Sequence, residues 1–304
     1  MDNLSRRQVA TGLAALPLAG CVGTPASVTA SGDFMQINGR RLHYVVAGDG
    51  PPVILIHGAS GNLLDWTYSM FDKLAENHRV LAVDRPGLGF SDPAPVADDL
   101  FSQADVINAA ARQLGFGAST IVGHSYGGSV SLAYALNHPG DVSGLLLLAA
   151  PSHVWPGSVD RLYRITNTPV LGPIFSNIVP LVASDNLIAS AIDGIFAPQA
   201  TPPGYVAFIR PELALRPPVY RRNAAQVGAL KETLRRMEPR YTSLKMPIEL
   251  IHGTADTTVW LDIHSVPFAQ KVANARLTRL EGVGHMPHHT NPDVVQDSIA
   301  RLSA

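Results

Sequence analysis

Thr120-Ile121-Val122-Gly123-His124-Ser125-Tyr126-Gly127-Gly128 is the stretch on which the fold turns. Thr120, Ile121 and Val122 are β-branched and predict a short buried strand. From Tyr126 to about Asn137 the pattern predicts a helix. Between them stands one serine with glycines two residues to either side. Gly123 and Gly127 remove side chains that would collide across a tight, strained bend. Such a bend lifts Ser125 toward solvent at a helix N-terminus, where free N–H groups favour developing negative charge. The competing reading is a glycine-rich turn with an ordinary serine cap. The flanking strand and helix favour the chemical reading, because G-x-S-x-G needs that context.

Similar strands lie on both sides of this bend. Val53-Ile54-Leu55-Ile56, Val80-Leu81-Ala82-Val83, Gly144–Ala149 and Ile248-Glu249-Leu250-Ile251 are short and apolar, as strands covered on both faces should be. A last strand is expected from Arg276 to Leu280. Helical patterns cover about Leu64–Glu76, residues 97–114, residues 259–272 and Pro292–Leu302. Near the start, Asn38-Gly39 is a favoured hairpin turn between Phe34–Ile37 and Leu42–Val46. Alternating strands and helices predict an α/β fold with a mostly parallel sheet flanked by helices. The alternation lapses over residues 152–243, which are proline-rich and carry short helical patterns. The core therefore comprises residues 33–151 and 244–304, with 152–243 a helical cap over the C-terminal strand ends, where ligands bind in open α/β sheets.

Composition bounds the function class. With 46% hydrophobic and 15% charged residues, the chain has the make-up of a globular protein. Formal net charge is -1, and no basic run interleaved with aromatics appears, so nucleic acid is not an expected partner. Cys21 is the single cysteine, which excludes an internal disulfide and a cysteine-based zinc site. Arg6 and Arg7 precede an apolar run from Val9 to Ala19. That run falls short of the about 20 residues a membrane span needs and fits a secretory signal. Leu18-Ala19-Gly20-Cys21 resembles the lipobox of bacterial lipoproteins, and Ser5-Arg6-Arg7 resembles part of a twin-arginine signal. Residues 1–20 are thus expected to be a signal peptide. Residues 21–32 would be a lipidated cysteine and flexible tether, attaching an exported protein to a membrane. The other reading is an uncleaved tail on a cytoplasmic protein.

Taken together, the motifs resemble the α/β-hydrolase family from about Phe34 to the C-terminus. His57-Gly58 ends a strand. Asp84-Arg85-Pro86-Gly87-Leu88-Gly89-Phe90-Ser91-Asp92 matches a family loop. His252-Gly253-Thr254-Ala255-Asp256 resembles the segment bearing the acid, and Gly282-Val283-Gly284-His285 the segment bearing the histidine. The order Ser, Asp, His is the family's order. The resemblance implies Ser125 as nucleophile, His285 as general base and Asp256 as its orienting acid. It also implies an oxyanion hole from the N–H groups of Ala59 and Tyr126. Asp262 competes with Asp256 but sits farther from the strand end. His57 is expected to hold the oxyanion loop, Asp84 and Arg85 to pin a turn, and His124 to take no chemical role.

His285, His288 and His289 form a His-x-x-His-His run. A catalytic zinc site usually needs three protein ligands, and no carboxylate pattern accompanies the run, so neither metal nor cofactor is expected. Substrate contacts are expected from Ser60, Trp155, Phe175, Phe196 and Met286, in a mostly apolar pocket suited to a small-molecule ester. Family members that open epoxides or remove halide carry Asp at the bend, where this chain has Ser125. Carbon–carbon bond hydrolases often have Trp after the histidine, where this chain has Met286. Carboxylic ester hydrolysis is the leading expectation, with lactones and thioesters as near neighbours. The reading from another class is a catalytically silent, lipid-anchored binding protein, whose mark would be a lost triad member. Oligomeric state stays open.

Overall fold

The structure is a computed structural model that describes residues 30–94, 99–157, 161–169 and 171–304. The expectations for residues 1–20, Cys21 and most of the tether lie outside the described residues. Eight strands build one sheet: β1 (Asp33–Ile37), β2 (Arg40–Ala47), β3 (Pro52–Ile56), β4 (Arg79–Val83), β5 (Ser119–His124), β6 (Val142–Leu148), β7 (Ile248–Gly253) and β8 (Ala275–Leu280). Their order is β1-β2-β4-β3-β5-β6-β7-β8. β1 and β2 pair antiparallel, as do β2 and β4; all other pairs are parallel. Asn38 and Gly39, both at positive φ (51° and 74°), close the β1–β2 hairpin as a type I′ turn requires.

The apolar runs explain the layering. Side chains alternate across a strand, so Ile54, Ile56, Ile121, Leu145 and Leu147 enter one core and Val53, Leu55, Val122, Leu146 and Leu148 the other. The first core is covered by α3 (Leu100–Gln113) and α4 (Tyr126–Asn137), which follow β4 and β5. The second is closed by α1 (Leu64–Thr67), α2 (Phe71–Ala75) and the C-terminal α13 (Pro292–Leu302), through Trp66, Phe71, Val295 and Ile299. Burying each such side chain contributes about 1.5–3 kcal/mol. Between β6 and β7 lie α5 (Arg161–Thr166), α6 (Leu171–Val182), α7 (Asp185–Phe196), α8 (Tyr205–Ile209), α9 (Glu212–Leu215) and α10 (Pro217–Met237). Two further helices, α11 (Ser265–Lys271) and α12 (Pro287–Thr290), frame β8.

Three elements differ from expectation. The helix expected over Leu64–Glu76 is interrupted at Tyr68–Met70, where Tyr68 and Ser69 take tertiary partners, Pro203 O and His289 Nδ1. The helix expected over residues 259–272 starts only at Ser265. The residues before it are claimed by a loop whose Thr258 and Val259 N–H groups donate to Asp256. The insertion also holds one long helix, α10, begun by Pro217 and Pro218 at its first turn.

Sequential strands leave β3 in opposite directions, to β4 on one side and β5 on the other. That reversal opens a crevice at the C-terminal ends of β3 and β5.

Candidate active site

Ser125 stands at the end of β5 with φ 51° and ψ −124°. A non-glycine residue there costs on the order of 1–3 kcal/mol, which the surroundings must offset. They do so by close packing. A Cβ at Gly123 would overlap the Ser131 hydroxyl and the Gly127 carbonyl; one at Gly127 would overlap the Ile56 and His57 carbonyls. Ser125 N donates to Leu148 O at 2.8 Å and its carbonyl accepts from Gly128 N at 2.9 Å. The Ser125 side chain makes no capping bond to α4, so it is not an ordinary helix cap.

The loop after β3 runs alongside. A Cβ at Gly58 would stand 3.3 Å from Ser125 Cβ. This loop is held from beneath. His57 Nδ1 donates to Gly58 O at 2.9 Å, and its Nε2 accepts from Arg85 N at 2.9 Å. The buried Arg85 guanidinium donates to His57 O, Gly58 O, Gln103 and Gln226. Burial lowers the Arg85 pKa to about 10, so it stays charged at neutral pH. Burial, and then the Arg85 charge, push His57 down to about 4, which keeps it neutral. Asp84 accepts from His43 Nδ1, Leu63 N and Phe90 N. None of the three is among the residues lining the cavities beside Ser125.

Asp256 lies just past β7. Its Oδ2 accepts from His285 Nδ1 at 2.7 Å, and its Oδ1 from Thr258 N and Val259 N at 2.8 and 2.9 Å. Burial opposes ionisation of this carboxylate. Hydrogen bonds from His252 and His285, with the Val259 N–H, nevertheless hold its pKa well below the ordinary carboxylate range. With Nδ1 bonded to a carboxylate, the His285 imidazole leaves Nε2 as a proton acceptor. Asp262 has no such bond to His285 among the described residues.

Two cavities, each of about 420 Å³, share Ala59, Ser125, Tyr163 and Thr258. One is lined by Ser60, His285, Met286, Ile188, Ile192 and Ile195; the other by Tyr126, Trp155, Val227, Leu230, Trp260 and Ile263. Ala59, Tyr126, Ser60, Trp155 and Met286 thus line the space around Ser125. Phe196 does not: it is fully buried, packed with Ile192, Tyr205 and Met286 behind the cavity wall. Phe175 does not either; α6, which carries it, packs against α5, α9 and α10. Both expectations rested on aromatic content, which does not say which face of a cap helix turns inward.

A polar cluster lies behind His285 that the sequence did not disclose. Asp65 accepts from His288 Nε2 (3.2 Å), His289 Nε2 (2.8 Å) and the Tyr205 hydroxyl (2.6 Å). His124 donates from Nε2 to His285 O at 2.9 Å and lies against His288, ring centroids 4.4 Å apart. His124 is thus bonded to the His285 backbone, where no role was expected. The ligand atoms of Asp65, His288 and His289 lie within 4.8 Å of one another and could hold a metal ion. Asp65 already accepts from both imidazoles, while His288 Nδ1 is buried without a hydrogen-bond partner. Burial pushes His288 down to about 4 and keeps it neutral. The only sequence signal was the His-His pair; Asp65, on α1, comes from the other end of the chain.

The pattern shared by proteins of the alpha/beta hydrolase family matches residues 53–297, most of the chain. This chain belongs to that family. The hydrolase is 28% identical over 278 residues to an uncharacterized protein of Mycobacterium tuberculosis, covering 88% of this chain and 80% of the relative. It is 35% identical over 113 residues to a soluble epoxide hydrolase of a Corynebacterium species, covering 37% of this chain and 39% of that one. Among solved structures, the enol-lactonase of Burkholderia xenovorans superposes with a TM-score of 0.72 at 21% identity, covering 89% of this chain and 99% of that one. An esterase from a Rhodococcus species gives 0.68 at 22%, covering 89% and 97%. At these identities the superpositions show the shared fold. The expected α/β-hydrolase architecture, with its eight-stranded, mostly parallel sheet flanked by helices, is the one found.

Proposed function

We propose that this hydrolase cleaves carboxylic esters of small to medium, mostly apolar molecules through an acyl-enzyme on Ser125. The observation that carries the reading is the 2.7 Å bond from His285 Nδ1 to Asp256 on a ring that lines the same cavity as Ser125. Nε2 of His285 takes the Ser125 proton as Oγ bonds to the ester carbonyl carbon. The tetrahedral oxyanion is received by the N–H groups of Ala59 and Tyr126. As the C–O bond breaks, protonated His285 gives its proton to the leaving alkoxide. Water, deprotonated by the same imidazole, then releases the acid. Asp256 fixes the tautomer and stabilises the imidazolium. Two apolar chambers meeting at Ser125 suit a substrate with an apolar group on each side of its carbonyl carbon. Lactones and thioesters present the same carbonyl to the same groups. Epoxide opening, the activity named for the Corynebacterium relative, is not favoured, because the bend carries Ser125.

The test is labelling with a fluorophosphonate probe, alongside turnover of a panel of p-nitrophenyl esters. Wild type should label and Ser125→Ala should not; persistent labelling of Ser125→Ala would remove the nucleophile assignment. Apolar acyl groups should be preferred, and a preference for short charged substrates would overturn the substrate class. We propose in addition that residues 1–20 are cleaved and Cys21 is lipidated in the exporting cell. Labelling with a palmitate analogue should then be lost in Cys21→Ser.

A further inference from the structure

Among the described residues, half of the large apolar side chains left in solvent belong to one helix. On α6, Leu171, Ile174, Ile178, Leu181 and Val182 are all 46–84% exposed, and Leu187 at the start of α7 is 59% exposed. At 3.6 residues per turn the five α6 residues fall within an arc of about 100°. The buried residues Gly172 and Ser176 lie on the opposite side. The sequence of α6, LGPIFSNIVPLV, contains no charge. A monomeric soluble protein seldom leaves such a stripe uncovered. No helix among the described residues is long and apolar enough to cross a membrane. The α6–α7 pair, bent by 100°, meets the length and composition criteria only as a pair. A bent, one-sided pair of this kind suits lying in a membrane surface rather than crossing it.

A second observation says what covers the stripe. A cavity of about 700 Å³ lies away from Ser125. It abuts the start of α6 through Pro173 and is lined by Arg41, Arg216, Arg221 and Arg222, with Asp92 as the one acid. Two of these side chains are anchored: Arg216 donates to Gly89 O and lies over the Phe90 ring, and Arg41 lies over Phe34. An uncharged apolar stripe beside an arginine-lined groove complements anionic headgroups above acyl chains. A second copy of this chain would bring the same four arginines rather than their counter-charge. Asp185 and Asp193 lie on α7, and Asp193 accepts from the Thr201 hydroxyl.

We propose that the apolar stripe of α6 and the adjoining arginine groove form a docking face for an anionic lipid bilayer, acting besides any lipid on Cys21. The face belongs to the cap that closes over the site. α7 presents Leu187 outward and Ile188, Ile192 and Ile195 to the chamber beside Ser125.

The experiment uses the full chain carrying Cys21→Ser, so that no lipid is attached. It is co-sedimented with vesicles of phosphatidylcholine alone or mixed with phosphatidylglycerol. Binding to the mixed vesicles is expected, with weaker binding to phosphatidylcholine. Adding Ile178→Asp and Leu181→Asp should reduce binding at least tenfold, and Arg221→Gln about fivefold on mixed vesicles only. Turnover of water-soluble p-nitrophenyl acetate should be unchanged in these variants, which shows that they fold. Absent binding before the cap substitutions would overturn the proposal. So would binding that survives the double aspartate substitution, since residues 1–29 would then carry it. A concentration-dependent dimer abolished by the same substitutions, without vesicle binding, would assign the face to a second copy instead.

Discussion

Ser125 is chemically ordinary until its neighbours are counted. A serine hydroxyl needs a base, and a base needs its tautomer fixed. In the proposed mechanism Asp256 supplies the second need, with three hydrogen bonds tying its carboxylate to His285 and to its own loop. His285→Ala should lower kcat by at least about 10³-fold while leaving circular dichroism unchanged. A rate near wild type would move the base elsewhere, with His288 the next group to examine. Asp256→Asn should preserve the fold and lower kcat by about 10³–10⁴-fold, because the amide favours the wrong tautomer. Single-turnover acylation would read this directly, and acylation at the wild-type rate would deny Asp256 the orienting role. The letters around Ser125, Asp256 and His285 were legible in the sequence. The contact of His124 with His285 O was not, because it joins residues 161 positions apart.

At the scale of the element, the bend between β5 and α4 works because two glycines let three backbone segments meet. Gly127 lies under the end of β3, so any side chain there must displace the Ile56 and His57 carbonyls. Gly127→Ala should therefore destabilise the protein by several kcal/mol, or abolish soluble expression. Gly140→Ala, at a glycine with open space around it, serves as the control. Equal melting temperatures for the two would refute the packing argument. Here the sequence spoke clearly, since a strand, a glycine-flanked serine and a helix leave few other geometries. It spoke less clearly for α1 and α2. Their periodicity reads as one helix, while Tyr68 and Ser69 answer to partners in the cap and in α12.

For the whole molecule, buried histidines set the response to acid. His57 and His288 are pushed down to about 4 and His264 to about 3, in each case chiefly by burial. Their folded pKa values lie below the unfolded value of 6.5. Between about pH 6.5 and 4 the unfolded chain therefore takes up protons that the native state refuses. Stability is full above that window and falls as pH drops through it, by about 1.4 kcal/mol per pH unit for each such histidine. Urea midpoints should thus fall steeply from pH 7 to pH 5. A flat profile would mean that these imidazoles are charged or solvated in the native state. The sequence did not show which of the eleven histidines would be held neutral, because burial is a property of the assembled fold.

The sequence alone determined the layered α/β core and the sharp bend at Ser125. Those features rest on local propensity, on period-two and period-3.6 patterning, and on glycine where no side chain fits. Only the tertiary structure decided which cap side chains face the site. It removed Phe175 and Phe196 from the lining, brought in Ile188, Ile192 and Tyr163, and joined Asp65 to His288 and His289. It also left the α6 stripe outward. An apolar helix face carries no mark of what it will meet; its partner is fixed only when distant segments close around it, or fail to.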